Sequence, residues 1–281
     1  MALNLDLVGK EWEGAGRRWT STDTILYALG VGAGAEDPSA ELAFTTENSH
    51  DVAQQVLPTF AVMLGGRAAM PPLGDFDISQ VLHAEQSVTL HGPLPVEGAS
   101  RIRSRVVGFY DKGPNAIAVI EGTVTDADSG ALLAEVRSGT FIRGEGGFGG
   151  ERGPATPWER PERAPDHTVT YRTRPDQALL YRLSGDRNPL HSDPWLADKA
   201  GFDRPILHGL CSYGFTGRAL LHTVCDSDPA RFGSMSVRFA SPVLPGAELS
   251  VLIWEDGDTC RFQTTAAGTV VLDRGVFTKR V

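Results

Sequence analysis

Three things are scarce in this 281-residue chain: long apolar runs, cysteine and net positive charge. No apolar stretch approaches the ~18 residues that span a bilayer. The opening Met1-Ala-Leu-Asn-Leu-Asp-Leu-Val-Gly9 lacks a basic segment leading into an apolar one, and the closing Thr278-Lys-Arg-Val281 is not a Ser-Lys-Leu address. The expectation is a cytoplasmic protein with no membrane partner. Cysteine occurs only at 211, 225 and 260, without metal-type spacing, which argues against a disulfide framework or zinc ribbon and for a reducing compartment. With 26 Lys and Arg against 35 Asp and Glu, the net charge of −9 gives no electrostatic footprint for nucleic acid. An anionic ligand would need a local basic patch.

What is abundant is turn chemistry: 32 Gly and 18 Pro in a chain that is 41% hydrophobic and 22% charged make a helical bundle a poor fit. A length of 281 residues suits two domains at ~100–200 residues each. The sharpest compositional break, rich in Gly, Pro and charge, covers 144–165 and reads as a linker between an N-terminal domain at 1–143 and a C-terminal one at 166–281. Within it Gly144-x-Gly146-x-x-Gly149 matches a dinucleotide fingerprint, but Pro154 and Pro157 stand where the required helix should begin.

The two halves resemble each other. Tyr27-Ala-Leu-Gly aligns with Tyr181-Arg-Leu-Ser, and the segment starting at Ser87 parallels that starting at Ser236, each an alternating strand running into a Pro-rich turn. Periodicity in the second half predicts a short helix over 176–184, an irregular segment over 185–204, a longer helix over 210–224, and strands over 233–240, 248–255, 260–266 and 269–278. The first half repeats this with helices over 22–29 and 59–69 and strands over 84–90, 100–111, 116–125 and 132–142. A helix followed by an antiparallel meander is an α+β pattern, with the helix free to lie in the concave face of the sheet.

The densest polar cluster is Tyr181-Arg-Leu-Ser-Gly-Asp-Arg-Asn-Pro-Leu-His-Ser-Asp193, followed by Gly201-Phe-Asp-Arg-Pro-Ile-Leu-His-Gly-Leu210. Gly185 and Pro189 mark a turn from which Asp186, Asn188 and His191 can converge. A carboxylate and an imidazole around one water suit its addition to an activated alkene, which needs a base to take a proton and an acid to return one. Asn188, which donates and accepts without titrating, suits orienting that water or the aspartate. Charge developing on a thioester oxygen needs a donor, and the N–H of Gly209 at the start of the long helix is a ready one.

These two segments resemble the hydratase-2 motif of the MaoC-like, (R)-specific enoyl-CoA hydratase family. The resemblance covers nearly the whole chain and implies a double hotdog, two repeats each with a long helix wrapped by an antiparallel sheet. It implies hydration of a trans-2-enoyl thioester to the (3R)-3-hydroxyacyl thioester, or the reverse, with Asp186 and His191 as the catalytic pair, Asn188 positioning, and the Gly209 N–H as oxyanion donor. His208, Tyr181, Arg238 and Leu210 are the expected substrate-binding residues. The expected substrate is an acyl thioester of coenzyme A or a carrier protein, with no resident cofactor or metal, in a homodimer. The repeat places Gly32 where the second half has Asp186, Gly34 at Asn188, and Val56-Leu57-Pro58-Thr59 at Ile206-Leu207-His208-Gly209. One site per chain follows, with the N-terminal copy left to shape the acyl pocket.

Plainer readings compete. Asp186 and His191 could cap a turn, or join Asp193 and His208 around a metal; Cys211 is a nucleophile or a small core residue. His83 and Glu85 are structural or functional at a strand start, and Arg238 is an ordinary exposed strand arginine or a coenzyme A phosphate contact. At the level of function, a hotdog thioesterase or a non-catalytic acyl-thioester binding module is the alternative.

Overall fold

The alternating segments pair into one sheet. The computed structural model describes residues 3–14, 16–65, 72–154 and 157–280. The strands are β1 (Glu11–Gly14), β2 (Arg18–Trp19), β3 (Val81–Leu90), β4 (Gly98–Asp111), β5 (Ala116–Asp126), β6 (Leu132–Ile142), β7 (His167–Arg172), β8 (Phe232–Phe239), β9 (Glu248–Asp256), β10 (Thr259–Ala266) and β11 (Thr269–Lys279). Their order is β1-β4-β5-β6-β3-β8-β11-β10-β9-β7, with β2 added on β4, and the named strands pair antiparallel. Strands β1 to β6 lie in the first half and β7 to β11 in the second, and β3·β8 is the pairing that joins them.

At that seam Ser87 lies opposite Ser236, the two serines that the internal repeat aligns. The other aligned pair, Tyr27 and Tyr181, also meets, with ring centroids 6.1 Å apart. Equivalent residues that touch each other mark a two-fold pseudo-symmetry axis, so the repeat is a pair of like units joined edge to edge through β3 and β8, a double hotdog.

Among the described residues six α-helices accompany the sheet: α1 (Ser21–Gly30), α2 (Leu42–Thr45), α3 (Ala61–Leu64), α4 (Gln177–Tyr181), α5 (Pro194–Lys199) and α6 (Gly209–Val224). Every residue from 211 to 221 of α6 is buried, as expected of a helix enclosed by sheet and neighbouring helices. Its glycines permit the enclosure: a Cβ on Gly214 would lie 2.4 Å from Val31, and one on Gly217 2.4 Å from Thr59. Tyr213 donates to the Met235 carbonyl at 2.9 Å, and the Thr216 hydroxyl meets that of Thr264 at 2.8 Å, so these two polar side chains of the helix tie it to the sheet.

Several expectations need correction. The helix predicted over 59–69 is a 3-10 turn (Pro58–Phe60) leading into the single turn α3, and residues 66–69 lie outside the described ones. The long helix wrapped by sheet is therefore seen in the second half. The stretch predicted as irregular, 185–204, contains a 3-10 turn (Pro189–His191) capped by Asn188, then α5 capped by Asp193 with Pro194 at its first position. The strand β7 was not predicted.

Among the described residues of 144–165 there is no helix or strand, but the segment is anchored: Trp158 Nε1 donates to the Gly275 carbonyl at 3.0 Å. The fingerprint-like glycines form no phosphate cradle, because their N–H groups are already spent: that of Gly144 on Asn115 Oδ1 at 3.2 Å, that of Gly146 on the Pro114 carbonyl at 3.2 Å and that of Gly149 on the Asp111 carboxylate at 2.8 Å. No helix among the described residues is long and apolar enough to cross a membrane.

Candidate active site

Asp186 sits on the turn that follows α4, where Gly185 takes φ +133°, a conformation that side-chain-bearing residues rarely adopt. The turn is tied from both ends. Asn188 donates its backbone N–H to Asp186 Oδ1 at 3.2 Å and accepts from the Leu190 N–H on its own Oδ1 at 3.1 Å. Asn188 thus folds the loop, aims the carboxylate and starts the 3-10 turn that carries His191. Arg17, from the first half, donates to the Ser184 carbonyl at 2.5 Å while paired with Asp23 at 3.1 Å.

Asp186, His191 and His208 each bring one polar atom within 4.8 Å of the other two. The tautomers follow from the partners, since a carbonyl oxygen can only accept. His191 Nδ1 is 2.8 Å from the Ile206 carbonyl, so Nδ1 carries the hydrogen and Nε2 bears the lone pair of the neutral ring. His208 Nε2 donates to the Asp186 carbonyl at 3.1 Å, which leaves its buried Nδ1 without a partner among the described residues. The two imidazoles stack with centroids 3.8 Å apart and planes inclined by 30°.

Burial holds both rings neutral. It lowers the His191 pKa below 6.5 against the opposing pull of Asp186. It takes His208 down to about 3, with His191 adding to the same effect.

Among the described residues these three form the group that could hold a metal ion, and Asp193 is not part of it. The stack works against it: a ligand lone pair lies in its ring plane, and two nearly parallel planes 3.8 Å apart do not converge on one ion.

Gly209 opens α6, where the first N–H groups have no partner within the helix. A Cβ there would come within 3.0 Å of the Phe239 ring, so glycine is what lets β8 close over the helix start. His208 is fully buried beneath His191 and touches the loop backbone. Tyr181 is also fully buried; its ring lies 4.9 Å from that of His208 and its hydroxyl faces the Met63 sulfur at 3.5 Å. Leu210 is partly buried against the main core. Cys211 is wholly buried with its thiol directed at the Gly30 carbonyl, a core residue. Arg238 is not brought to the cluster: strand alternation turns it to the exposed face while its neighbour Phe239 faces Gly209.

The pseudo-equivalent position in the first half is filled. A Cβ on Gly32, at φ +81°, would lie 2.3 Å from Phe215 and 3.2 Å from the Arg218 guanidinium. Arg218 donates to Glu41 at 3.0 and 2.7 Å and to the Val31 carbonyl at 2.8 Å, and His222 meets the same carboxylate at 2.7 Å. Sequence reasoning missed this cluster, as it missed Arg17, because the partners are up to 181 positions apart.

Comparison with known proteins fits this architecture. A family model described as "MaoC like domain" matches residues 156–275, and one described as "MFE-2 hydratase 2 N-terminal domain" matches 18–144. The chain is 48% identical to 3-hydroxyacyl-thioester dehydratase Y of Mycobacterium tuberculosis, over 98% of each. The chain belongs to the MaoC-like dehydratase family. Enoyl-CoA hydratase 2, peroxisomal, of Arabidopsis thaliana is 40% identical over 88% of this chain and 85% of that one. The solved MaoC-like dehydratase from Phytophthora capsici superposes with a TM-score of 0.86 at 33% identity, over 99% of this MaoC-like chain and 98% of that one.

Proposed function

We propose that this protein is a hydro-lyase that adds water across the double bond of trans-2-enoyl thioesters, and catalyses the reverse dehydration, in fatty-acyl metabolism. The observation that carries the reading is the tautomer of His191: with Nδ1–H spent on the Ile206 carbonyl, a neutral Nε2 lone pair is available beside the Asp186 carboxyl.

As the water oxygen bonds to C3, one water O–H breaks and its proton passes to His191 Nε2. The π electrons move onto the thioester carbonyl, where the Gly209 N–H and the α6 N-terminus stabilise the enolate oxygen. The imidazolium passes that proton to the Asp186 carboxylate, within 4.8 Å, and the carboxyl so formed delivers it to C2. One proton leaves water and one reaches carbon, so the cycle closes without a redox partner or resident cofactor. Asn188 holds the carboxylate in place, while His208 and Tyr181 support the loop from below and so act on the substrate through His191. Leu210 and the first half line the acyl pocket in this reading, and the thiol is that of coenzyme A or a carrier protein.

Because both protic groups rise from one loop, water reaches one face of the planar enoyl group. The R product is the stereochemistry proposed. Chiral chromatography of the hydrated product, or coupling to an S-specific 3-hydroxyacyl-CoA dehydrogenase, tests it: a silent coupled assay is expected, and rapid NAD reduction overturns the R assignment.

A homodimer is proposed as well, with Leu179 and Leu183, four residues apart and 55% and 43% exposed, as the face to be covered; light scattering reads the mass. Three buried free thiols suit a reducing cytoplasm, and cell fractionation distinguishes it from an organelle.

A further inference from the structure

Every group with a part in the chemical steps lies in the second half. Two residues of the first half come close to that machinery. His83 stands beside a bulge of β3 opposite β6, its ring 4.7 Å from that of Phe239. Arg17 goes further and touches the catalytic loop itself.

The mount of Arg17 is rigid. Its backbone N–H donates to Ser100 Oγ at 3.1 Å and its carbonyl accepts from the Ser100 N–H at 2.7 Å, which fixes its main chain on β4. Its guanidinium lies over the Phe60 ring, 5.5 Å from the centroid, and one nitrogen donates to Asp23 Oδ1 at 3.1 Å. Asp23 is itself held, because its Oδ2 accepts the Thr20 N–H at 2.9 Å in the capping box that starts α1. The other terminal nitrogen donates to the Ser184 carbonyl at 2.5 Å.

That oxygen belongs to the peptide joining Ser184 to Gly185. The N–H of the same peptide donates to the Arg182 carbonyl at 3.2 Å, so the plane is gripped on both edges. Only the two soft torsions of Gly185 separate this plane from the Cα of Asp186. Glycine has the widest conformational range of any residue, so those torsions keep their values, φ +133° included, only if the plane and the walls around it are fixed. The walls are also first-half atoms: a Cβ on Gly185 would stand 3.2 Å from the Arg17 guanidinium and 3.3 Å from the Met63 methyl.

We propose that Arg17 is a positioning residue of the hydration step: by fixing the Ser184–Gly185 peptide it sets where the Asp186 carboxyl meets the reacting carbon. The first half thereby aims a group that the second half supplies. The assignment rests on the hydratase reading, in which Asp186 delivers the proton to C2. Misplacing a reacting group by about 1 Å costs about 10²-fold in rate, while the contacts that bind the substrate are untouched.

Steady-state hydration of trans-2-enoyl-CoA by Arg17→Met, read beside thermal unfolding, tests it; the methionine keeps an apolar stem over Phe60 and removes both donors. Arg17→Gln, whose side chain ends near the position of Nε and short of the carbonyl, is the second variant in case the first does not fold. In the folded variant kcat should fall about 10–100-fold with KM within about threefold of native. Arg17→Lys, whose ammonium can still reach the Ser184 oxygen, should recover at least about fivefold of that loss. A lowered Tm with near-native kcat below the melting point makes Arg17 a stabilising contact alone and overturns the proposal. A loss carried by KM, or a lysine variant no better than the methionine one, overturns it too. A native protein that hydrates no enoyl thioester overturns the hydratase reading and this proposal with it, whereas native turnover indifferent to the loss of Arg17 overturns the proposal alone.

Discussion

Replacing Glu41 by Gln removes the charge that balances Arg218 between the two halves while keeping the side chain's shape. Side-chain exposure is 4% for Arg218 and 11% for Glu41, so the pair is largely withdrawn from water. Burial opposes the charge on Glu41, but bonds from His222, Arg218 and the Gly34 N–H hold its pKa at about 2 against an ordinary 4.5. At ~1.4 kcal/mol per pH unit that preference amounts to about 3 kcal/mol, trimmed to about 2–3 by the residual solvent contact. Breaking one side of a buried ion pair costs about 3–5 kcal/mol in other proteins, so the two routes agree near 3. The depressed pKa puts this stability in place above pH 4.5 and removes it as the pH falls towards 2. Urea or thermal unfolding at pH 7 should show Glu41→Gln losing about 3 kcal/mol, or about 6–12 °C in Tm for a chain of this size. Turnover at 25 °C should stay within about twofold, since the cluster fills the pseudo-equivalent site and not the working one. Combined with Arg218→Met, the double variant should be less damaged than the sum of the singles, by about 2 kcal/mol. A loss under about 1 kcal/mol for Glu41→Gln, or strict additivity, refutes the view of this cluster as a structural plug.

Two further outcomes follow from the same structure. Gly32→Ala combines a positive φ with a 2.3 Å approach to Phe215 and should lose about 2–5 kcal/mol of stability; below its melting point it should retain near-native kcat, and loss of turnover without loss of stability would contradict a single site per chain. Acidification should lower kcat/KM once His191 begins to protonate, at a midpoint below 6.5, and the buried histidines, with pKa about 3 for His208 and about 4 for His83, make the fold lose stability as the pH drops below 6.5, read by Tm against pH.

Legibility in the sequence tracked the range of the interactions involved. Local periodicity was enough for α6 and for strands such as β4 and β5, because their apolar spacing repeats within a few residues. The loop of Asp186, Asn188 and His191 was legible because the ties that fold it, from the N–H groups of Asn188 and Leu190, are two residues long. The helix α5 was missed although Asp193-Pro194, an N-cap followed by proline at the first position, announces it. The strand β7 alternates at Val169 and Tyr171, but it follows the Pro-rich segment and acquires its register only from β9. The buried Glu41–Arg218 pair, the reach of Arg17 to Ser184 and the bulge that turns His83 towards Phe239 depend on how two halves meet, and no local pattern encodes them. The repeat itself did carry long-range information: Ser87 and Ser236, aligned in sequence, turned out to be partners across the seam.

The most direct measurement is the loss of enoyl-thioester absorbance when the purified protein meets trans-2-enoyl-CoA of several chain lengths, run beside Asp186→Asn, His191→Ala and the double variant. The native protein should hydrate at least one chain length without releasing free thiol, each folded single variant should lose several orders of magnitude in kcat, and the double variant should be little worse than the worse single one. Thiol release without hydration by the native protein, or near-native turnover in a folded Asp186→Asn or His191→Ala, would contradict the assignment.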